Sequence, residues 1–441
     1  MADSAPDTPY FAQAVGRLGD QRAMRTTQPV YGAQGIKILD KGAKLNTRLY
    51  ERLVQHHPST TLEDAIEIES AVSGKNLRAL AETLLDGSPV FVRMAEKPAD
   101  RKLLLDCLEA VPLPPAVVFQ LTVLHDVQPE LFRYLVASAL TAVWLGNGPL
   151  AVRHDLVMLA AAGLLHNLGM MHIDPVLLQP GAQISREQRR QLYSHPLVSV
   201  LLLERHHEYT ADMLRAIREH HEVLDGSGYP GGLAGSAISP WGRILSLAQV
   251  VAALVKPGRS HALLRVSVLL RTNRHRFDPA LVDRLLPLLQ QLAGETADQG
   301  GIDNRVSDPV GQLNRIHQAL LAWPASLAQD AQWPAARRSG MLSIGERCAR
   351  ILRTLVESGV SSEQMNLLDQ DAITGPLADE LSLVTHELAW QLQALEREAR
   401  RRWRLAPGEQ LPAALAQWIE TVEHICAGLA SPEGTAAGTE K

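Results

Sequence analysis

The stretch HHEVLDGSGYPGGLAGSAI, residues 220–238, sets two adjacent histidines ahead of a glycine-rich loop that holds one tyrosine and one proline. Neighbouring helical residues point about 100° apart, so His220 and His221 can face one pocket while Leu214 and Ile217 face a core. Two imidazoles side by side suit a metal ion. Gly226, Gly228, Gly231, Gly232 and Gly235 permit positive φ and close backbone approach, as in a loop lying over a phosphate-bearing ligand. The alternative is a capped helix running into a surface turn, with solvated histidines.

Written as HHExxDGSGYPxGLxGxxI, the stretch resembles without a gap the signature of the HD-GYP domain family, which are all-helical, metal-dependent phosphodiesterases of cyclic di-GMP. The resemblance implies an all-α protein built on an HD-type helical bundle. A small N-terminal α+β module and a helical C-terminal region would flank it. It also implies ligands gathered from separate helices: an HD dipeptide, later histidines, a distant aspartate and an upstream His or Glu. LLHNLGM resembles the family's LLHDIGK, with His166 in the histidine place, Asn167 in that of the aspartate, and Met170 in that of a phosphate-reaching lysine. Tyr193-Ser194-His195-Pro196 supplies the next histidine, and His220 and His221 the pair after it. GRILSLAQVVAAL resembles ARIxxxADxxDAL, which keeps Arg243 for phosphate but sets Gln249 and Ala252 where aspartates belong. Glu130, with Arg133 three residues later, takes the upstream position.

On this reading His166 and Asn167 are the catalytic pair, in degenerate form. His166, His195, His220, His221, Glu130 and Gln249 surround the metal. Asp225, Gly226, Ser227, Gly228, Tyr229 and Pro230 form the ligand loop. Bridging carboxylates matter because two close cations repel and a shared anion offsets that. With the carboxylates gone, one divalent metal is expected rather than two, iron or manganese or else zinc, or none, with the histidines packed as core residues. His154-Asp155 also spells HD, but it lies roughly 16 Å along a helix from His166 and reads as ordinary polar residues near a helix start. His125-Asp126 lacks the LLHxxG context, and His206 and His207 read as a solvated helix end.

At 441 residues, 46% hydrophobic and 21% charged, the chain has room for two or three soluble domains. A net charge of −5 argues against general binding to nucleic acid or anionic membrane. Cys107, Cys348 and Cys426 form no CxxC pair, which fits a reducing compartment. The first residues carry no basic-then-apolar signal pattern, so the cytoplasm is the expected location.

Along the chain, residues 1–28 read as a flexible lead-in, and 29–111 as an accessory module with β-like runs such as 36–39, a helix over 47–56 and a linking helical segment. That segment takes in Ile66, Ile68, Val72, Leu77 and Leu84. Pro112, Pro114 and Pro115 mark a boundary before the HD-GYP-like domain at 115–290. Its helices are expected over 129–145, 152–168, from 185, 195–203, up to 221, and 240–254. Residues 291–310 read as a linker, 311–430 as a helical region with its longest helix over 376–405, and 431–441 as a disordered tail.

The functional expectation is a signalling protein that binds cyclic di-GMP or a related nucleotide, or a partner such as a diguanylate cyclase domain, and is catalytically impaired. Two alternatives stand beside it: an active phosphodiesterase with an altered metal shell, and a helical scaffold.

Overall fold

A computed structural model describes residues 10–19, 21–32, 35–46, 48–50, 53, 62–150, 152–179, 184–254, 261–295, 302, 305–358, 360–365, 373–403, 410–427 and 429. The chain divides into two compact units, residues 1–255 with 276–281, and residues 256–275 with 282–441. The prolines at 112, 114 and 115 therefore do not separate compact units. Most of the helix expected over 47–56 and all of the tail at 431–441 lie outside the described residues.

In the first unit, helix α1 (Tyr10–Gly19) buries Phe11, Val15 and Leu18. Strand β1 (Met24–Thr26) is central in an antiparallel sheet, flanked by β4 (Lys44–Leu45) and β5 (Ile66–Ile68), while β2 (Val30–Tyr31) pairs with β3 (Lys37–Leu39). Two expectations are corrected here. Residues 10–19 and 24–26 are ordered and not a lead-in, because Phe11, Val15 and Leu18 share one helix face. Ile66 and Ile68 belong to a strand, since their alternation is the period of a strand and pairs them with β1.

Next come α2 (Gly74–Gly87), α3 (Pro89–Met94), α4 (Pro98–Glu109), α5 (Pro115–Val127), α6 (Pro129–Gly146) and α7 (Arg153–Leu165). α3 to α6 all open on proline, whose fixed φ and missing N–H suit the first turn. α8 (Arg186–Tyr193) starts in a capping box made by Ser185 and Gln188. It runs into α9 (His195–Leu203), α10 (Ala211–Glu219) and α11 (Pro240–Leu254). From Leu156 to Leu165 every residue of α7 is buried, so this helix is the interior post of the bundle. Gly163 makes the α6 contact possible, because a Cβ there would lie 2.5 Å from the Cα of Ala139. Arg22 pairs with Asp126 at 2.7 Å, which gives the second HD dipeptide a structural role. His154 is exposed in the first turn of α7.

The second unit contains α12 (Ala262–Thr272), most of α13 (Pro279–Glu295), α14 (Pro309–Leu321), α15 (Ala335–Glu357), α16 (Ser362–Met365), α17 (Gly375–Trp403) and α18 (Ala413–Cys426). Leu313, Ile316, Ile344, Leu388, Leu392, Trp403 and Trp418 belong to one buried cluster. The expected linker at 291–310 is corrected: 291–295 continue α13, and Asp379 accepts from the Ile302 amide at 3.2 Å and from Arg305 Nε at 2.8 Å. Ile302 and Arg305 are thus tied to a buried carboxylate. Fold class is as expected, helical with a small N-terminal strand module. Among the described residues no helix is long and apolar enough to cross a membrane.

Gly163→Ala should force α6 and α7 apart and cost about 1–3 kcal/mol. Urea denaturation would register this as a lower midpoint with an unchanged slope.

Candidate metal centre

His166 follows the last turn of α7, His195 opens α9, and His220 and His221 follow α10, so helix ends converge four imidazoles. Three of them are oriented by one cause. Nδ1 lies 2.9 Å from the Gly163 carbonyl in His166, 2.8 Å from that of Leu192 in His195, and 2.6 Å from that of Ile217 in His220. A carbonyl only accepts, so each Nδ1 carries the proton and each Nε2 is left with its lone pair. Nε2 of His195 and Nε2 of His220 then face each other at 3.2 Å. Two lone pairs at that distance repel unless a proton or a cation lies between them.

Protonation is disfavoured. Burial holds His166 down at about 3 and His195 at about 4, against an ordinary 6.5. His220 and His221 are lowered too, first by burial and then by the neighbouring imidazoles. Among the described residues, the ligating atoms of His195, His220 and His221 all lie within 4.8 Å of one another. The donor set fits a borderline metal ion. The Oδ1 of Asn167 is buried without a hydrogen-bond partner, which leaves an oxygen donor uncommitted in the same segment.

Other expected ligands are placed differently. His166 packs its ring 4.7 Å from that of His220, yet its Nε2 is 3.5 Å from the hydroxyl of Tyr134, outside the three-histidine group. Gln249 reaches the pocket as a clamp. Its Nε2 donates to the His220 carbonyl at 2.7 Å and approaches His221 Nδ1 at 3.4 Å, while its Oε1 accepts from Tyr134 at 3.3 Å. Glu130 is exposed in the first turn of α6, one turn before Tyr134, and is not in the group, because its helix start projects to solvent. Arg243 is no open hand for phosphate, for its three nitrogens donate to the Ile238 carbonyl, Asp278 and the Gly235 carbonyl at 3.1 Å each. It fastens the loop. Met170 packs on the apolar cluster of Ile173, Leu177 and Leu192.

The glycine loop is held from beneath by Glu222, whose carboxylate accepts from the amides of Gly231 at 2.6 Å and Leu233 at 2.9 Å. Glu219, equally buried, accepts from the Ser239 amide at 2.7 Å and from Arg215 Nε at 2.7 Å. Gly228 lies so close to the chain that a Cβ would sit 2.4 Å from the His221 carbonyl, and Gly226 takes φ 75°. Asp225 caps the turn by accepting from the Ser227 amide at 3.0 Å. Ser227 and Pro230 are exposed at the rim, whereas Tyr229, joined to Pro230 by a cis peptide bond, turns inward. Its ring stacks on His221 at 4.4 Å.

Four contributors were not singled out by sequence: Tyr134, Ser199, Glu219 and Glu222. Ser199 donates to the His166 carbonyl at 2.7 Å and accepts from the Gly169 amide at 2.8 Å, pinning the turn that carries Asn167. Glu222 stood inside the quoted motif, four residues before Gly226, the first loop glycine at positive φ. Tyr134 had no local signal, since its partners are distant in sequence.

The fold and the site define a helical domain with a buried histidine cluster that could hold a metal ion. The family model described as HD domain matches residues 151–281. The chain is 34% identical over 145 residues to a cyclic di-GMP phosphodiesterase of Vibrio cholerae, covering 30% of this chain and 29% of that protein. It is also 34% identical over 175 residues to the cyclic di-GMP phosphodiesterase response regulator RpfG of Xanthomonas campestris, covering 37% and 45%. A solved structure, Bd1817, a HDG"Y"P protein from Bdellovibrio bacteriovorus, aligns over 60% of this chain and 95% of its own, with 14% identity and a TM-score of 0.34. The chain thus spans less than half the length of either curated relative. Residues 151–281 thus match the HD domain family model, and the chain is similar to parts of cyclic di-GMP phosphodiesterases.

Two outcomes follow from this geometry. Because folding keeps His166 and His195 neutral while the unfolded chain takes up protons near pH 6.5, metal-free protein should hold full stability above that pH and lose it as pH falls toward 4. The slope should be about 1.4 kcal/mol per pH unit for each histidine, measurable by denaturant titration after chelation. Glu222→Ala should leave the helices intact but free the loop, each lost charge-assisted bond weakening it by about 1.5–3 kcal/mol. Faster hydrogen exchange at the Gly231 and Leu233 amides would register it.

Proposed function

We propose that the protein binds cyclic di-GMP or a related cyclic dinucleotide at the histidine pocket and its glycine loop, and is impaired in hydrolysing it. The observation that carries this reading is the asymmetry of the site. The loop is fully braced by Glu222 and Arg243, while Asn167 and Gln249 are neutral amides where the resemblance expects carboxylates.

His195, His220 and His221 would hold one divalent ion, iron or manganese or else zinc, with His166 and the Asn167 oxygen as further candidate donors. When bound, such an ion polarises a phosphoryl oxygen and lowers the pKa of water. This chain's own residues orient and enclose. Gln249 and Tyr134 fix the ring positions, and burial keeps the imidazoles neutral and hence able to ligate at pH 7. A second cation would find no bridging anion in the three-histidine group, which is why turnover is expected to suffer while binding survives.

The exposed rim of the loop, including Ser227, Pro230, Gly231 and Gly232, is also where a protein partner such as a diguanylate cyclase domain would make contact. The reading of an active enzyme with an altered shell keeps one observation in its favour, the convergence of neutral histidines. A scaffold role would rest on the second unit, which has its own core.

Calorimetric titration with cyclic di-GMP, beside product analysis after anaerobic loading with Fe(II) or Mn(II), tests this directly. Binding with little or no product is the expected result. Robust turnover that disappears in His195→Ala would establish the enzyme reading instead, and no binding of the nucleotide by folded protein would sink the proposal.

A further inference from the structure

The metal pocket and the glycine loop are joined by a ladder of three flat rings. Tyr193 stacks on Tyr229 at 4.1 Å with 9° between planes, and Tyr229 stacks on His221 at 4.4 Å with 18°. His195 meets this ladder edge-on, at 5.0 Å from the ring of His221 and 6.3 Å from that of Tyr229. The foot of the ladder is apolar: Tyr193 packs on the cluster of Ile173, Leu177 and Leu192, the same cluster that takes Met170. The position expected to hold a phosphate-reaching cation is thus part of the wall that seats a tyrosine.

His221 needs this support more than its neighbours do. His166, His195 and His220 each have Nδ1 bonded to a backbone carbonyl, whereas Nδ1 of His221 lies 3.4 Å from the Gln249 amide nitrogen, beyond a strong hydrogen bond. Its orientation is therefore set mainly by the stack. Parallel aromatic rings prefer definite offsets, so a ring held between fixed neighbours keeps its plane.

We propose that Tyr193 is a positioning residue for the metal centre, acting through Tyr229 to fix the plane of the His221 ring. The ladder passes from the buried cluster under Met170 to a candidate ligand by way of the glycine loop. Metal affinity then depends on a side chain that touches neither the metal nor the nucleotide. This inference rests on the three histidines binding a metal.

The test is Co(II) titration of the full chain, read by the visible d–d spectrum and by bound metal after gel filtration, for wild type, Tyr193→Phe, Tyr193→Leu and His195→Ala. Tyr193→Phe keeps the flat ring and should bind as wild type does, with the same spectrum. Tyr193→Leu keeps apolar volume for the cluster but removes the stack. It should bind about tenfold more weakly, about 1.4 kcal/mol, with an altered band shape while circular dichroism is unchanged. His195→Ala should abolish binding. If Tyr193→Leu, folded, matches wild type in affinity and spectrum, the ladder has no positioning role and the proposal falls alone. Equal loss in the Phe and Leu variants would also overturn it, by tracing the effect to the hydroxyl. If wild type binds no cobalt, the metal reading falls and the proposal with it.

Discussion

Backbone carbonyls at helix ends dictate the chemistry of this pocket. The last carbonyls of a helix have no partner within it, and here those of Gly163, Leu192 and Ile217 are taken by Nδ1 of the histidine three residues on. The bond fixes tautomer and ring direction together. What remains on each ring is an inward or core-facing acceptor, and packing three or four such acceptors in a buried site is unfavourable unless something positive joins them. Burial lowers their proton affinity, so protons are poor candidates near neutral pH. A cation satisfies the same lone pairs without that penalty.

The amides set the other limit. Asparagine and glutamine preserve shape and hydrogen bonding where aspartate would add charge. Gln249 shows what is gained: a neutral clamp joining Tyr134, the His220 carbonyl and His221. Burial pushes the Tyr134 phenol up, so it stays protonated and able to donate. An aspartate could not donate to that carbonyl at all. At this position an amide ties the rings into a hydrogen-bond network without adding charge.

Much of this was legible in sequence because it is local. The helices beginning at Pro129 and near Ser185 were expected, and the loop followed from its glycines. Three of the four pocket histidines sit next to motif breaks that mark helix ends. What escaped was non-local or relied on a period misread over a short run. Ile66 and Ile68 fit either a strand or one edge of a helix until their partners Thr26 and Met24 are known. The polar run at 291–310 looks like a linker until Asp379, far along the chain, is seen to collect Ile302 and Arg305. Arg243 was expected at phosphate, since a guanidinium in isolation suits it, but Asp278 lies against it. Motifs report residue types; the partners that commit those residues come from the fold.

The retained carboxylates sharpen the contrast between loop and pocket. Glu219 and Glu222 flank the histidine pair, close enough in sequence to invite a role as ligands. Both are committed elsewhere: each oxygen of Glu222 accepts a loop amide, and those of Glu219 accept the Ser239 amide and Arg215. A buried carboxylate with both oxygens satisfied by N–H groups has little to offer a metal without breaking charge-assisted bonds. Negative charge in this region therefore builds the loop rather than the metal site. The same arrangement gives the loop a stable form that does not depend on a metal bridging it to the pocket.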